Sequence, residues 1–173
     1  VAATEWTWGA TFLDVNLDVL EDLLIANGHT FDTQNLDAIE RTAKLGKLPA
    51  AQARKKVFLY PPRNVPNMVF RNEGGLRFTE AGSQWGFESK NVSHGISLCD
   101  LDNDGDQDVF AGVDVHDLGA DHQLLLNNGS GNFTPVEDSG VDDLSYAIAA
   151  NAAFADFDGD GFLDLFIGQG GTM

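Results

Sequence analysis

The chain has 173 residues, 43% of them hydrophobic, and a formal charge of −17 at pH 7. That composition describes a folded globular protein with one sizeable core or a few small repeated units. The charge argues against nucleic acid and anionic membrane as partners, since both would repel it, and favours divalent cations or basic surfaces. No apolar run approaches the roughly 20 residues of a membrane span, and the chain opens on Val1 without a basic segment leading into an apolar one. It is expected to be a mature product or an excised fragment. Cys99 is the only cysteine, so no intrachain disulfide can form and the fold must be held by packing or by metal.

The first predicted element opens at Trp8. WGATFLDVNLDVLEDLLIANG reads as a strand, an acidic nonapeptide from Asp14 to Asp22, and a short apolar strand. Residues 31–66 then interrupt the pattern. Here LDAIERTAKLGKLPAAQARKKVFL predicts one or two short helices broken near Gly46 and Pro49, and YPPRNVPN a Pro-rich connector. Seven of the ten Lys and Arg residues fall in this insertion against three acids, which leaves the rest of the chain at about −21. The basic island is expected to be either a solvated helix on the rim or a docking element for an acidic surface.

NMVFRNEGGLRFTEAG, from Asn67, predicts a strand, an Asn/Gly turn and a strand opening on Phe78. HGISLCDLDNDGDQDVFAGVD, from His94, aligns without gaps on the Trp8 segment. QLLLNNGSGNFTPVEDSG, from Gln123, repeats the hairpin with Phe133 in place of Phe78, and ANAAFADFDGDGFLDLFIGQG, from Ala150, is a third strand, loop and strand. Asn72 lies 28 residues before Asp100 and Asn128 lies 28 before Asp156, so hairpin and loop recur in step. Asp14 and Asp100 are 86 apart and Asp100 and Asp156 are 56 apart; the insertion accounts for the excess of 30.

A repeated four-stranded unit of this length, with one loop per unit on the same edge, is the signature of a propeller blade. The expected fold is all-β: a partial β-propeller of about three four-stranded blades over 1–173, with Asp-rich calcium loops and one helical insertion at 31–66. Propellers use about four to eight blades, so the ring is expected to be completed by remaining blades of a longer parent or by another chain.

The nonapeptides place an oxygen donor at every second position, which is how a loop wraps a hard cation that takes six to eight oxygens. In the second loop the candidate ligands are Asp100, Asp102, Asp104 and Asp108, with the carbonyl of Asp106; Gly105 stands where the chain must turn sharply. In the third they are Asp156, Asp158, Asp160 and Asp164, with the carbonyl of Phe162 and Gly161 at the turn. The first loop offers Asp14, Asn16, Asp18 and Asp22 with the carbonyl of Leu20, but Val19 replaces the glycine. A β-branched residue at positive φ is strained, so this copy is expected to be the weakest of the three. Ca²⁺ is the expected cofactor. An EF-hand needs a Glu at loop position 12 and flanking helices; Ile25, Ala111 and Ile167 hold that position and the flanks are strand-like, so that alternative is rejected.

The pattern of apolar strand, DxDxDGxxD, then DLFIG or DVFAG resembles the FG-GAP/VCBS-type repeat of integrin α-subunit propellers and many bacterial exported proteins. WGATFLDVNLD, DLLIANGH, PNMVFRNEGGLRFTEAG and HGISLCDLDNDGDQDV are further similar to the cartilage acidic protein (ASPIC/UnbV-like) group. The resemblance covers nearly the whole chain except the insertion. It implies loops that bind Ca²⁺ and a secreted, extracellular or cell-surface protein used for adhesion, matrix or assembly. On that basis the chain is expected to be a non-enzymatic interaction module whose partner is a protein or the remaining propeller blades, with no nucleic acid and no membrane insertion.

Two alternatives belong to other classes: the scaffold portion of a larger secreted hydrolase or lyase, and a carbohydrate-binding module presenting Trp6, Trp8 or Trp85 to a glycan. Within the chain itself, His29, His94, His116 and His122 form no metal or triad spacing, and Cys99 sits in an apolar strand beside Asp100, where a thiolate is disfavoured. Glycosylation sequons occur at Asn91, Asn128 and Asn132.

Overall fold

The computed structural model describes residues 4–63, 65–89, 92–113, 122–141 and 148–170. His116 and the sequon at Asn91 lie outside them. The described residues form two four-stranded antiparallel sheets and a two-stranded one, each strand hydrogen-bonded to the next in sequence. The first sheet is β1 (Thr7–Leu13), β2 (Asp22–Asn27), β3 (Met68–Asn72) and β4 (Phe78–Glu80). The second is β5 (Ser93–Cys99), β6 (Asp108–Val113), β7 (Gln123–Leu126) and β8 (Thr134–Pro135), and the third pairs β9 (Ile148–Ala155) with β10 (Asp164–Gly170). The runs expected to be strands after each acidic loop are therefore β2, β6 and β10. The third unit holds two strands among the described residues, against four in each of the others.

The insertion leaves the first sheet between β2 and β3. It folds as α1 (Leu36–Lys44), the short α2 (Ala50–Ala53) and a 3₁₀ turn over Arg54–Leu59. Asn35 caps α1 by accepting the Ala38 N–H at 3.0 Å, Asp37 sits in the first turn, and Arg41 and Lys44 sit in the last, all matched to the helix dipole. The two ends of the insertion are tied together by Arg63, which pairs with Asp32 at 3.0 Å and with Glu5. An isolated bridge joins Phe31 to Pro62. Among the described residues no helix is long and apolar enough to cross a membrane.

The first strands of the three units lie side by side, with β5 between β1 and β9. Gly9 allows the approach: a Cβ there would stand 3.2 Å from the His94 carbonyl oxygen. Trp8 and His94, at the same position in their units, stack with ring centres 4.5 Å apart, and the Ser97 hydroxyl donates to the Ala152 carbonyl. A single buried cluster joins the first two sheets. Leu13, Val15, Leu24 and Val69 from the first unit meet Val109, Leu125 and Phe133 from the second, with Trp85 and Phe87 from the connecting segment between them.

The register corrects one equivalence read from spacing. Phe70 pairs with Leu23 and Leu125 with Val109, so Asn72 matches Asn127 and not Asn128. The two hairpins are of equal length, Phe70 pairing with Glu80 and Leu125 with Pro135, so they are offset by 55 residues, and the extra residue of the 56-residue loop spacing lies after the second hairpin.

Candidate cation loops

Each acidic loop joins the first strand of a unit to its second, so the three loops stand at corresponding ends of adjacent sheets. Their internal bonding is repeated position by position. The carboxylate of the first Asp accepts the N–H of the sixth residue: Val19 on Asp14 at 2.8 Å, Gly105 on Asp100 at 3.2 Å, Gly161 on Asp156 at 3.0 Å. The fifth accepts the N–H of the seventh: Leu20 on Asp18, Asp106 on Asp104, Phe162 on Asp160. The ninth accepts the N–H of the second: Val15 on Asp22, Leu101 on Asp108, Phe157 on Asp164. Aspartate is the residue for this role because its short side chain reaches nearby backbone donors and holds a loop that has no ladder of its own.

The second and third loops bring carboxylates together. Asp100, Asp102 and Asp108 each place an oxygen within 4.8 Å of the other two, and Asp156, Asp158 and Asp164 do the same. The fifth-position Asp104 and Asp160, expected as fourth ligands, are not in these triads, so each loop unites three of the four carboxylates read from the sequence. Of the seventh-position residues, Phe162 is exposed and Asp106 is buried. Two oxygens at expected ligand positions, Oδ1 of Asp100 and Oδ1 of Asn16, are buried and have no hydrogen-bond partner. Hard oxygen donors left without hydrogen bonds in a shell of negative charge fit a cation such as Ca²⁺.

The ninth aspartate is more than a ligand candidate. Asp22 and Asp108 are fully buried, and their second oxygens accept the N–H of Asn72, at the end of β3, and of Asn127, just past β7, both at 2.8 Å. Each carboxylate thereby clasps loop, second strand and third strand together. Burial raises both carboxyls above the usual range, while these N–H donors pull them partly back. Among the described residues Asp164 accepts only the N–H of Phe157, and it is exposed. Asn127 reaches further: its Nδ2 donates to the Val15 carbonyl at 2.9 Å and ties the second unit to the first loop. Neither asparagine role was legible beforehand; the Asn/Gly turns marked the hairpins but not which Asn faces the aspartate.

The first loop follows the same backbone path at greater cost. Leu17, Asn103 and Gly159 hold the fourth position at φ +55, +62 and +79°, and Val19, Gly105 and Gly161 the sixth at +71, +97 and +91°. Two apolar side chains are thus forced into the left-handed region, which costs about 1–2 kcal/mol each, as Val19 led us to expect for one of them. The loop also carries its own cation: the Arg71 guanidinium lies 3.9 Å from Asp18 and 3.8 Å from Glu73. Leu126 occupies the matching place in the second unit. Val19 is 89% exposed, so removing its side chain loses no packing. Val19→Gly is expected to stabilise the protein by about 1 kcal/mol, the relief of strain less the added freedom of the unfolded chain. Urea denaturation reads it, and a loss of stability would refute the strain.

Asp106 stands apart from its counterparts Leu20 and Phe162. It is buried under the β7–β8 turn, where a Cβ on Gly129 would come within 3.1 Å of its Oδ2 and 3.0 Å of Leu17 Cδ1. Burial, then the charges of Asp104, Asp108, Asp102 and Asp100, push its carboxyl up to about 6. Cys99 is buried at the end of β5, and burial followed by Asp108 and Asp100 pushes its thiol up to about 12, which removes it as a nucleophile. The tryptophans do not form one surface. Trp85 is 4% exposed in the core, Trp6 packs on His29, and Trp8 alone is half exposed, with its Nε1 donating to the Gly28 carbonyl at 2.6 Å. A platform using Trp85 is excluded by its burial.

No curated protein matches the chain. Residues 112–167, from the end of β6 through the third acidic loop into β10, match the family model of the FG-GAP-like repeat, a non-catalytic repeat type.

Proposed function

We propose that the chain is part of a calcium-stabilised β-propeller that serves as an extracellular or cell-surface interaction and assembly module, without catalysis of its own. The observation that carries the reading is the repetition of one loop at corresponding ends of adjacent sheets, the second and third loops each gathering three carboxylates. A single acidic turn relieves its repulsion by splaying apart; repeated triads held by the same backbone bonds are better explained by a counter-ion. Asp100, Asp102 and Asp108, with Asp104 and the Asp106 carbonyl, would hold one Ca²⁺, and Asp156, Asp158 and Asp164, with Asp160 and the Phe162 carbonyl, another. Asp14, Asn16, Asp18, Asp22 and the Leu20 carbonyl form a third and weaker site, because Arg71 already supplies charge there.

In this role the ion is structural: it neutralises the loop and fixes strand to strand. The side-by-side first strands and the match to a non-catalytic repeat support the propeller reading. The resemblance to exported repeat proteins supports an extracellular place, where calcium is plentiful. Calorimetry with and without chelator tests it. Ca²⁺ at a hundredfold excess over Kd is expected to add about 2.7 kcal/mol per occupied site, and an unchanged melting temperature would remove calcium from the account.

A further inference from the structure

The seventh position of the acidic loop is filled differently in each unit: Leu20 in the first, Asp106 in the second and Phe162 in the third. Each is a candidate through its carbonyl, and only Asp106 brings a further carboxylate to the same place. Asp106 is 4% exposed, its Oδ1 is sealed from solvent without a hydrogen-bond partner, and among the described residues no Lys or Arg pairs with it. What seals it comes from two units. A Cβ on Gly129, in the β7–β8 turn, would stand 3.1 Å from Asp106 Oδ2 and 3.0 Å from Cδ1 of Leu17 in the first loop. The charges that act on it, from Asp104, Asp108, Asp102 and Asp100, are all of its own sign. A buried carboxylate with no donor and no positive neighbour is costly unless a cation compensates it. The second unit has a described unit on each side, so this burial belongs to the interior of the chain.

We propose that Asp106 sets the affinity of the second loop for its divalent cation, supplying a buried fifth negative charge that makes this the tightest of the three sites and ties its ion to the joint between the first two units. The inference rests on the calcium reading above and ranks its sites. Asp106 lies outside the triad of Asp100, Asp102 and Asp108, so its side chain contributes charge at short range and not coordination. It is a positioning residue for the ion. Affinity in oxygen sites of this kind follows ligand charge and rigidity, and a charge shielded from water acts through a lower effective dielectric than an exposed one. Leu20 and Phe162 add no charge, and in the first loop the Arg71 guanidinium beside Asp18 offsets one. The order of affinity is therefore second, third, first. The coupling is mutual: the ion that Asp106 attracts also compensates Asp106, so the second loop, the turn at Gly129 and Leu17 fit together best when the ion is bound.

Asp106→Asn keeps the shape of the side chain and removes its charge, and Asp106→Leu installs the residue of the first loop. Calcium titration of the whole chain by isothermal calorimetry reads the affinity, and urea denaturation in chelator reads the stability without the ion. In both variants the tightest site is expected to weaken by at least about tenfold. In chelator both are expected to unfold at a higher urea concentration than the wild type, because a buried unpaired charge has gone. Asp102→Asn should abolish the tightest site and Asp158→Asn should leave it, which assigns it to the second loop. Unchanged affinity in both Asp106 variants, a tightest site that follows Asp158 instead of Asp102, or a loss of stability in chelator for both Asp106 variants overturns the proposal. Any of these results alongside calcium binding by the wild type leaves the calcium reading standing. A wild type that binds no calcium removes that reading, and the proposal with it.

Discussion

Asp108→Ala is expected to destabilise the protein by about 3–5 kcal/mol in urea denaturation, and to do so with chelator present. The side chain is fully buried and accepts two backbone N–H groups, Leu101 at 2.7 Å and Asn127 at 2.8 Å. Removing it leaves two donors without partners in the interior, each costing about 1–3 kcal/mol, and opens the junction of loop, β6 and β7. Asp164→Ala is the internal control. Its carboxylate is exposed and accepts one N–H, from Phe157 at 2.9 Å, so its effect in chelator should be well under half as large. Were the ninth aspartate only a cation ligand, the two substitutions would cost equally little without the ion. A near-zero effect of Asp108→Ala in chelator would therefore refute the clasp. In calcium both substitutions should cost more, because each also removes a carboxylate from its triad.

What was legible in the sequence was what is local. Alternating apolar residues before each nonapeptide gave β1, β5 and β9, and the short apolar runs after it gave β2, β6 and β10, because strand period and turn chemistry are decided within a few residues. Val19 could be picked out in advance because positive φ at a glycine position is a property of the loop's own backbone, and it holds φ +71°. The parts that were missed depend on register across strands. Asn127 and not Asn128 reaches Asp108 because the hairpins are offset by 55 residues while the loops are offset by 56, and a one-residue slip reverses which side chains face the loop. Arg71 faces Asp18 from β3, some 50 residues away in sequence, across a pairing that no local pattern encodes. Asp106, read only for its carbonyl, is buried because the turn at Gly129 and Leu17 of the neighbouring loop close over it. Trp6, Trp8 and Trp85 were offered for a glycan surface only as an alternative to packing, and which of them packs is set by tertiary contacts: Trp85 enters the core while Trp8 stays half exposed.

Trp85→Ala is the other large effect, about 3–5 kcal/mol, the usual cost of emptying a buried aromatic site. The segment between the first two sheets forms α3 (Gly82–Trp85), which ends on Gly86 at φ +73° and turns the chain so that Trp85 enters the core. From there it holds the second sheet in two ways. Its carbonyl accepts the Phe133 N–H at 2.7 Å, and its ring lies against Gly131, where a Cβ would stand 2.6 Å from Cε2 and Nε1. Phe87 adds a ring contact with Phe133 at 5.5 Å. This joint, with Asn127 on Val15, sets one acidic loop beside the next, so the core that stabilises the chain is also what arrays the loops. Gly131→Ala is expected to be destabilising on its own, from a φ of +75° and from the clash with the ring. In the Trp85→Ala background the clash disappears and only the backbone strain remains, so the double variant should be more stable than the two single costs predict. Strict additivity, or a loss below about 1 kcal/mol for Trp85→Ala, would mean that the sheets are joined elsewhere.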